Sequence, residues 1–188
     1  MHATLLTTVL LLVPAARPER IDLADFARVV RFDGNTPETF EVQTLTRGID
    51  GYEAWRGEDG EYMIGLEWDE PRDIALVNIE FRHAIADRHK IRVQYWQHHW
   101  PKAEKGGWAK LDDPFHGRWQ TAKAEWWAGD RDVTFEFVPY NQEQPGKDAP
   151  DFSYRRTCRL RFLLGKEGGL PPVRYLRVYG PGKVVDEP

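Results

Sequence analysis

Short runs of alternating apolar and polar residues, separated by turns rich in glycine and proline, constrain the fold of this chain more than any other feature. In DIALVNIEF the side chains of Val77, Ile79 and Phe81 lie two residues apart, and KIRVQYW, RDVTFEFV, RTCRLRFLL and RYLRVYG repeat this spacing. A period of two buries one face of a strand and leaves the other in water, as antiparallel sheets require. The chain is therefore predicted to be all-β, an antiparallel β-sandwich or jelly roll.

The alternation also assigns side chains to the two faces of each strand. In KIRVQYW it turns Tyr95 inward and Trp96 outward. In RTCRLRFLL it puts Cys158, the only cysteine, on the face of Leu160 and Phe162, which predicts a buried thiol rather than a catalytic one. A single cysteine also excludes an intrachain disulfide, so the stability of the fold must come from packing.

The first 16 residues are typical of a secretory signal peptide. An apolar core from Leu5 to Val13 precedes small residues that suit cleavage after Ala15 or Ala16. The run is too short to span a bilayer, and a short buried N-terminal strand is the alternative interpretation. We predict an exported bacterial protein, periplasmic, on the cell surface or extracellular, because a disulfide-free fold is unlike the disulfide-dense ectodomains of animals.

Several function classes have little support in the composition. The net charge is −4 and no long run of lysine or arginine occurs, which argues against nucleic acid as a partner. The chain contains no G-x-S-x-G, no H-E-x-x-H and no glycine-rich phosphate loop, and Ser153 is the only serine. We therefore predict that the protein is not an enzyme. A carboxylate pair such as Glu67 with Glu80 leaves a glycoside-active domain as one alternative.

The order of segments resembles a known family. The stretch IDGYEAWRGEDGEYMIGLEWDEPRDIALVNIEF is similar to the front half of a coagulation factor 5/8 type C (discoidin) domain. KIRVQYW, YRRTCRLRFLL and VRYLRVYG are similar to later strands of that family. The matching positions of the front half are Asp50, Gly51, Trp55, a strand from Tyr62 to Trp68, a turn at Pro71, and a strand from Ile74 to Phe81.

The resemblance covers residues 48–180 and divides the chain into four parts. Residues 1–16 form the signal peptide, 17–47 an N-terminal strand and loop segment of the sandwich, 48–180 the discoidin-like β-sandwich, and 181–188 a polar tail. The long insert WPKAEKGGWAKLDDPFHGRWQTAKAEWW departs from the usual spacing of the family.

The resemblance implies a galactose-binding-like β-sandwich, similar to family 32 carbohydrate-binding modules. Members of this family bind glycans, and some bind phospholipid head groups or proteins, from loops at one end of the sandwich. Many carry a structural calcium ion near the Asp-Gly pair. Asp50, Glu58 and Asp59 supply the oxygen ligands that calcium prefers, so they are the predicted metal site; solvated acidic turns are the alternative.

Aromatic and histidine side chains gather in and around the long insert. A sugar ring presents an apolar C–H face and a rim of hydroxyls, which an exposed aromatic ring and polar side chains can hold together. The predicted ligand-binding residues are Trp96, His99, Trp100, Trp108, His116 and Trp119. The alternative is that these tryptophans pack the loop onto the sheet. His98 and His99 are adjacent on a strand and point to opposite faces, which disfavours one shared transition metal.

A basic stripe is expected if the last two strands are neighbours. It would contain Arg155, Arg156, Arg159, Arg161, Arg174 and Arg177 and would bind an anionic partner; pairing with glutamates such as Glu80 and Glu136 is the alternative. Taken together, the sequence predicts a non-catalytic carbohydrate-binding module whose partner is a glycan or polysaccharide. A protein–protein interaction or structural envelope module is the second interpretation, and a glycoside-active domain is the third.

Overall fold

The structure is a computed structural model that describes residues 21–32, 42–44, 51–98, 117–166 and 172–182. The described strands are β1 (Arg28–Phe32), β2 (Val42–Thr44), β3 (Trp55–Arg56), β4 (Tyr62–Ile74), β5 (Leu76–Phe81), β6 (Arg92–His98), β7 (Gly117–Thr121), β8 (Ala124–Ala128), β9 (Asp132–Phe137), β10 (Arg155–Gly165) and β11 (Val173–Tyr179). Two 3-10 turns, Leu23–Phe26 and Arg88–Lys90, and the one-turn helix α1 (Tyr140–Glu143) complete the described elements.

The strands form two antiparallel sheets, which confirms the predicted all-β sandwich. In the larger sheet the described strands run in the order β2-β1-β4-β10-β6-β7, with β3 paired to β4. The smaller sheet has the order β11-β5-β9-β8. The chain passes from one sheet to the other at Ala75, between β4 and β5, and at residues 122–123, between β7 and β8.

One apolar cluster fills the space between the two sheets. Val77, Ile79 and Phe81 of the smaller sheet enter it, as do Leu160 and Phe162 of the larger sheet, all nearly inaccessible to water. The alternating faces that were predicted for these strands are thus confirmed. Burial of large aliphatic and aromatic side chains contributes about 1.5–3 kcal/mol each, so this cluster is the main source of stability.

Gly51, in the predicted Asp-Gly pair, has a backbone φ of +108°, which glycine adopts at little cost. A Cβ atom at this position would lie 2.3 Å from the carbonyl oxygen of Val173. The adjacent Tyr52 exchanges two backbone hydrogen bonds with Val173, at 2.7 and 3.2 Å. Glycine therefore lets the chain pass directly over the start of β11.

The outer face of the larger sheet is covered over part of its area, and this corrects the prediction for Trp96. Its side chain does lie on the face opposite to Tyr95, but only 1% of Trp96 is exposed. The Trp119 ring meets the Trp96 ring edge-on, with centroids 5.2 Å apart, and also meets Phe32 at 4.9 Å. Phe32 in turn sits on Gly65, where a Cβ atom would approach the ring to 2.4 Å. Trp96 therefore belongs to a second packed layer and not to an exposed rim.

The central pair of strands, β4 and β10, contains an irregularity that changes two further predictions. Thr157 pairs with Arg72 whereas Arg159 pairs with Glu67, so residues 68–71 leave the ladder within one continuous strand. Pro71 lies inside this irregularity, and the predicted end of the strand at Trp68 is wrong. Cys158 lies in the bulge of β10 and is only half-buried, because a bulged residue leaves the alternation of its strand.

Candidate ligand-binding cavity

A cavity of about 720 Å³ opens at the end of the sandwich where β6 finishes and β10 begins. This volume falls within the range of about 300–1,000 Å³ that is usual for small-molecule sites. Its walls come from β6, β10, the region of α1 and the irregularity of β4. The lining residues are Pro71, Tyr95, Trp96, Gln97, His98, Tyr140, Phe152, Arg155, Arg156, Thr157 and Cys158.

A buried ion pair forms the base of this cavity. Arg155 Nε donates to Glu143 Oε2 at 2.7 Å and Arg155 Nη2 donates to the same oxygen, while the two side chains are 1% and 4% exposed. The remaining guanidinium donors bond the carbonyl oxygens of Tyr154 and Val138, each at 3.0 Å. The charge-assisted bonds tie the segment 138–154 to the first residue of β10.

The phenol of Tyr95 completes the shell around Glu143. Its hydroxyl donates to Glu143 Oε1 at 3.0 Å. Burial and the neighbouring carboxylate raise the pKa of the Tyr95 phenol above its ordinary value, so the group keeps its proton and remains a donor. Both carboxylate oxygens of Glu143 are therefore satisfied, and the base of the cavity is rigid.

Amide and hydroxyl groups form a second network at the cavity wall. Gln97 Nε2 donates to Tyr140 Oη at 3.0 Å and to Gln144 Oε1 at 3.2 Å, and Tyr140 Oη donates to Gln144 Oε1 at 3.0 Å. Arg118 Nε donates to Gln97 Oε1 at 3.1 Å. Gln144 Nε2 is buried and has no hydrogen-bond partner in the described part of the chain. These contacts hold the Tyr140 ring in one orientation.

Aromatic rings continue the wall from Tyr140. The Tyr140 and Phe152 centroids lie 5.8 Å apart at 32°, and Phe152 stacks on Tyr154 with centroids 4.5 Å apart at 16°. All three side chains are partly exposed. The cavity thus combines apolar ring surface with amide and guanidinium groups, a mixture that suits a ligand with one apolar face and a polar rim.

Only some of the predicted ligand-binding residues lie in the described part of the chain. His99, Trp100, Trp108 and His116 lie outside the described residues, in the segment that follows His98 and precedes Gly117. His98 lines the cavity and pairs with Gly117, so the described residues on either side of this segment are neighbours in the sheet. Trp119 lies on the outer face of the larger sheet and contacts the cavity-lining residue Trp96, but it does not itself line the cavity.

The sequence interpretation missed Tyr140, Phe152, Gln97 and the Glu143–Arg155 pair. A signal was present, since PYNQEQPGKDAPDFSYR is rich in turn residues and carries three aromatic residues and three amides. Which of them converge depends on the antiparallel return of β10 beside β6. Alternation within either strand does not contain that information.

The predicted calcium site is not brought together by the described residues. Asp50 lies outside them, and Asp59 Oδ1 accepts a hydrogen bond from the Glu61 backbone at 3.0 Å. Where the chain is described, no group of three or more His, Cys, Asp or Glu side chains is placed to hold a metal ion. The calcium site therefore stays a prediction.

The carboxylate pair considered for glycoside cleavage does not form. Glu67 lies in β4 and pairs with Arg159 at 2.9 Å, whereas Glu80 lies in β5 and pairs with Arg174 and Arg177. The two glutamates belong to different sheets and point away from the shared core. They cannot flank one glycosidic bond, which requires carboxylates within about 10 Å of each other.

The predicted basic stripe is divided between the two sheets, because β10 and β11 are not neighbours. Arg155, Arg159, Arg174 and Arg177 are held by glutamates, which favours the alternative of cross-strand pairing. Glu80, one of the two predicted partners, pairs with Arg174 and Arg177. Glu136, the other, lies opposite Leu76 and Glu125 in the ladder and not opposite an arginine.

Comparison with solved structures finds distant likenesses. A solved chain described as "CpGH89CBM32-6 produced by Clostridium perfringens" is 12% identical, with 86% of this chain and 100% of that chain covered and a TM-score of 0.41. No protein-family profile and no curated protein matches the sequence. This likeness is too distant to assign a function, which must be argued from the chain's own residues.

Among the described residues, no helix has both the length and the apolar character needed to cross a bilayer.

Proposed function

We propose that this protein binds carbohydrate without changing it, in the cavity at the end of the sandwich. The observation that carries the proposal is the convergence of the Tyr140 and Phe152 rings with the Gln97 amide and the Arg156 guanidinium around one cavity. A pyranose offers C–H groups to an aromatic face and hydroxyls to a guanidinium donor and to the oxygen of an amide such as Gln97, whose own N–H groups bond Tyr140 and Gln144. The described lining contains no pair of carboxylates that could cleave the glycosidic bond.

The buried ion pair supports this function by keeping the site in one shape. Arg155 and Glu143 are saturated by each other, by Tyr95 and by backbone carbonyls, so they have little left to offer a ligand. Their role is to hold Tyr140 and the segment that carries Phe152 in place before the ligand arrives. A preformed site reduces the entropy that binding must overcome.

The proposal also covers the export of the protein, the segment 99–116 and the calcium site. The signal-like residues 1–16 favour an exported protein, in which the sandwich would act as one module that holds a glycan or polysaccharide. The segment 99–116, with His99, Trp100, Trp108 and His116, adjoins the cavity along the chain and would contribute further contacts. Calcium at Asp50, Glu58 and Asp59 would then be structural.

Replacement of Phe152 by alanine is expected to weaken glycan binding ten- to a hundredfold, or about 1–3 kcal/mol, through loss of a ring surface. The measurement starts with thermal unfolding of the protein across plant, algal and bacterial polysaccharides, with and without calcium, because a ligand that binds the native state raises the midpoint. Titration calorimetry with the selected glycan then compares the variants.

Trp127→Ala is the matched control, since it removes an exposed aromatic ring from β8 and should leave the affinity unchanged. Trp100→Ala reports whether the adjoining segment contributes. The proposal fails if no glycan raises the midpoint, or if Phe152→Ala folds normally and binds as well as the parent protein. A midpoint raised by calcium alone would support the ion site and remove the support for a sugar.

A protein-interaction module is the second candidate, favoured by Trp126 and Trp127. Each is 49% exposed, and among the described strands of its sheet β8 is the last in order. Such an edge offers unpaired backbone groups to another strand, and a second copy of this chain is the simplest occupant. We expect light scattering to show a dimer that Trp126→Ala with Trp127→Ala converts to a monomer. A monomeric parent protein at high concentration would eliminate this candidate.

A further inference from the structure

The outer face of the larger sheet carries two adjoining depressions, of about 490 and 340 Å³, which share no lining residue with the end cavity. They share the side chains of Glu61, Arg92 and Lys166 and therefore form one continuous groove. The first depression lies over β6 and β10, where Gln94 pairs with Arg161 and Arg92 pairs with Leu163. We call this feature the basic groove.

Positive charge predominates in the larger depression. Among its described lining residues, four are cationic, namely Arg92, Arg118, Arg161 and Lys166, and two are acidic, namely Asp59 and Glu61. This excess occurs in a chain whose net charge is −4, so it is a local feature and not a reflection of the composition. A concave surface of one sign concentrates ligands of the opposite sign.

The cationic side chains of the groove differ in whether a neighbouring carboxylate offsets their charge. Arg92 Nη2 donates to both oxygens of Glu61, at 2.6 and 2.8 Å, and these two charges offset each other. Arg118 donates to a neutral acceptor, Gln97. Lys166 is exposed. The described lining of the larger depression therefore contains more cationic side chains than carboxylates.

Arg161 lies at the base of the groove, where only 7% of it is exposed. Its Nε donates to Gln94 Oε1 at 2.6 Å, and its guanidinium lies 4.5 Å from the centre of the Trp119 ring. Burial lowers the pKa of Arg161 to about 10, against the opposing effect of Asp59 and Glu61, so the group remains charged at neutral pH. The ring and the amide together restrict the guanidinium to one orientation, which fixes its positive charge at the base of the groove.

We propose that the basic groove binds the carboxylate or sulfate groups of an acidic polysaccharide, as a site separate from the cavity at the end of the sandwich. A chain of acidic sugars fits better than one small anion, because the two depressions are continuous and the cations come from β6, β7, β10 and the residue that follows β10. The proposal does not depend on neutral-sugar binding in the cavity.

The test is affinity electrophoresis of the protein through gels that contain polygalacturonate, dextran sulfate or neutral dextran. The double variant Lys90→Gln with Lys166→Gln removes two cations that line the groove and leaves Arg118, which contacts the cavity residue Gln97, in place. The double variant Arg131→Gln with Lys147→Gln removes the same charge at exposed positions outside the groove and is the matched control. We expect retardation by polygalacturonate or dextran sulfate, at least a tenfold weaker affinity for the groove variant, and no change for the control.

The comparison of the two acidic polymers tells which anion the groove prefers, and retardation by either one supports the proposal. It is overturned if neither polymer retards the protein at 0.15 M salt, if both double variants lose affinity equally, or if duplex DNA of equal charge is bound as tightly. Phe152→Ala should leave the retardation intact. A failure of the end cavity and a failure of the basic groove are therefore distinguishable.

Discussion

Replacement of Arg155 by methionine is expected to lower the free energy of unfolding by about 3–5 kcal/mol, since the Glu143 carboxylate would remain buried without its partner. The neighbouring Arg156 provides a matched control on the same strand. Its side chain is 70% exposed and reaches Asp73 only at 4.0 Å, so Arg156→Met should cost about 1 kcal/mol or less. Urea unfolding of the three proteins gives both differences.

A double variant tests whether the loss of stability comes from the unpaired charge of Glu143 or from the loss of packing. Glu143→Leu combined with Arg155→Met replaces the buried ion pair by apolar groups and should recover a large part of the lost stability. If Arg155→Met alone unfolds no more easily than Arg156→Met, the pair does not hold the segment 138–154 as described. If the double variant recovers stability but loses glycan affinity, the ion pair positions Tyr140 and Phe152 for binding.

Replacement of Trp96 by alanine is expected to lower the free energy of unfolding by about 3–5 kcal/mol, as is usual for a fully buried tryptophan. The change would leave a cavity beside Trp119 and take contacts from the second packed layer. Trp127→Ala removes the same kind of side chain from a half-exposed position and should cost about 1 kcal/mol. Chemical unfolding of each variant without ligand tests the difference.

The result for Trp96 also decides between two interpretations of this residue. A structural tryptophan predicts lost stability, whether or not glycan affinity also changes, because Trp96 lines the end cavity as well. A ligand platform, as the alternation in KIRVQYW suggested, predicts normal stability and lost affinity. The second outcome would show that the Trp96–Trp119 contact is not formed in solution, and it would return Trp96 to the binding site.

The strands could be predicted because the period of two is a local property of the chain. Val77, Ile79 and Phe81 in one run, and Leu160 with Phe162 in another, enter the core as their spacing indicated. Turn residues between the runs marked strand ends, except at Pro71, which lies inside β4. The same logic placed Trp96 on the face opposite to Tyr95, and that assignment is also confirmed.

The alternation within a strand could not predict which residues would cover its outer face. Trp96 is buried because Trp119, 23 positions further along the chain, lies on the neighbouring strand and meets its ring. Arg159 is buried because Glu67, on another distant strand, lies beside it in the sheet. A polar or outward position in the sequence therefore became an interior one through contacts between remote segments.

The sequence by itself determined the all-β class, the strands and the side of each strand on which a residue lies, since these follow from alternation and turn chemistry within a few residues. Only the tertiary structure decided the order of strands, the bulge at Cys158, the second packed layer and the cavity around Tyr140 and Phe152. The physical reason is that each of these features arises from contacts between segments far apart in sequence. The local periodicity of a strand does not specify which segments come into contact.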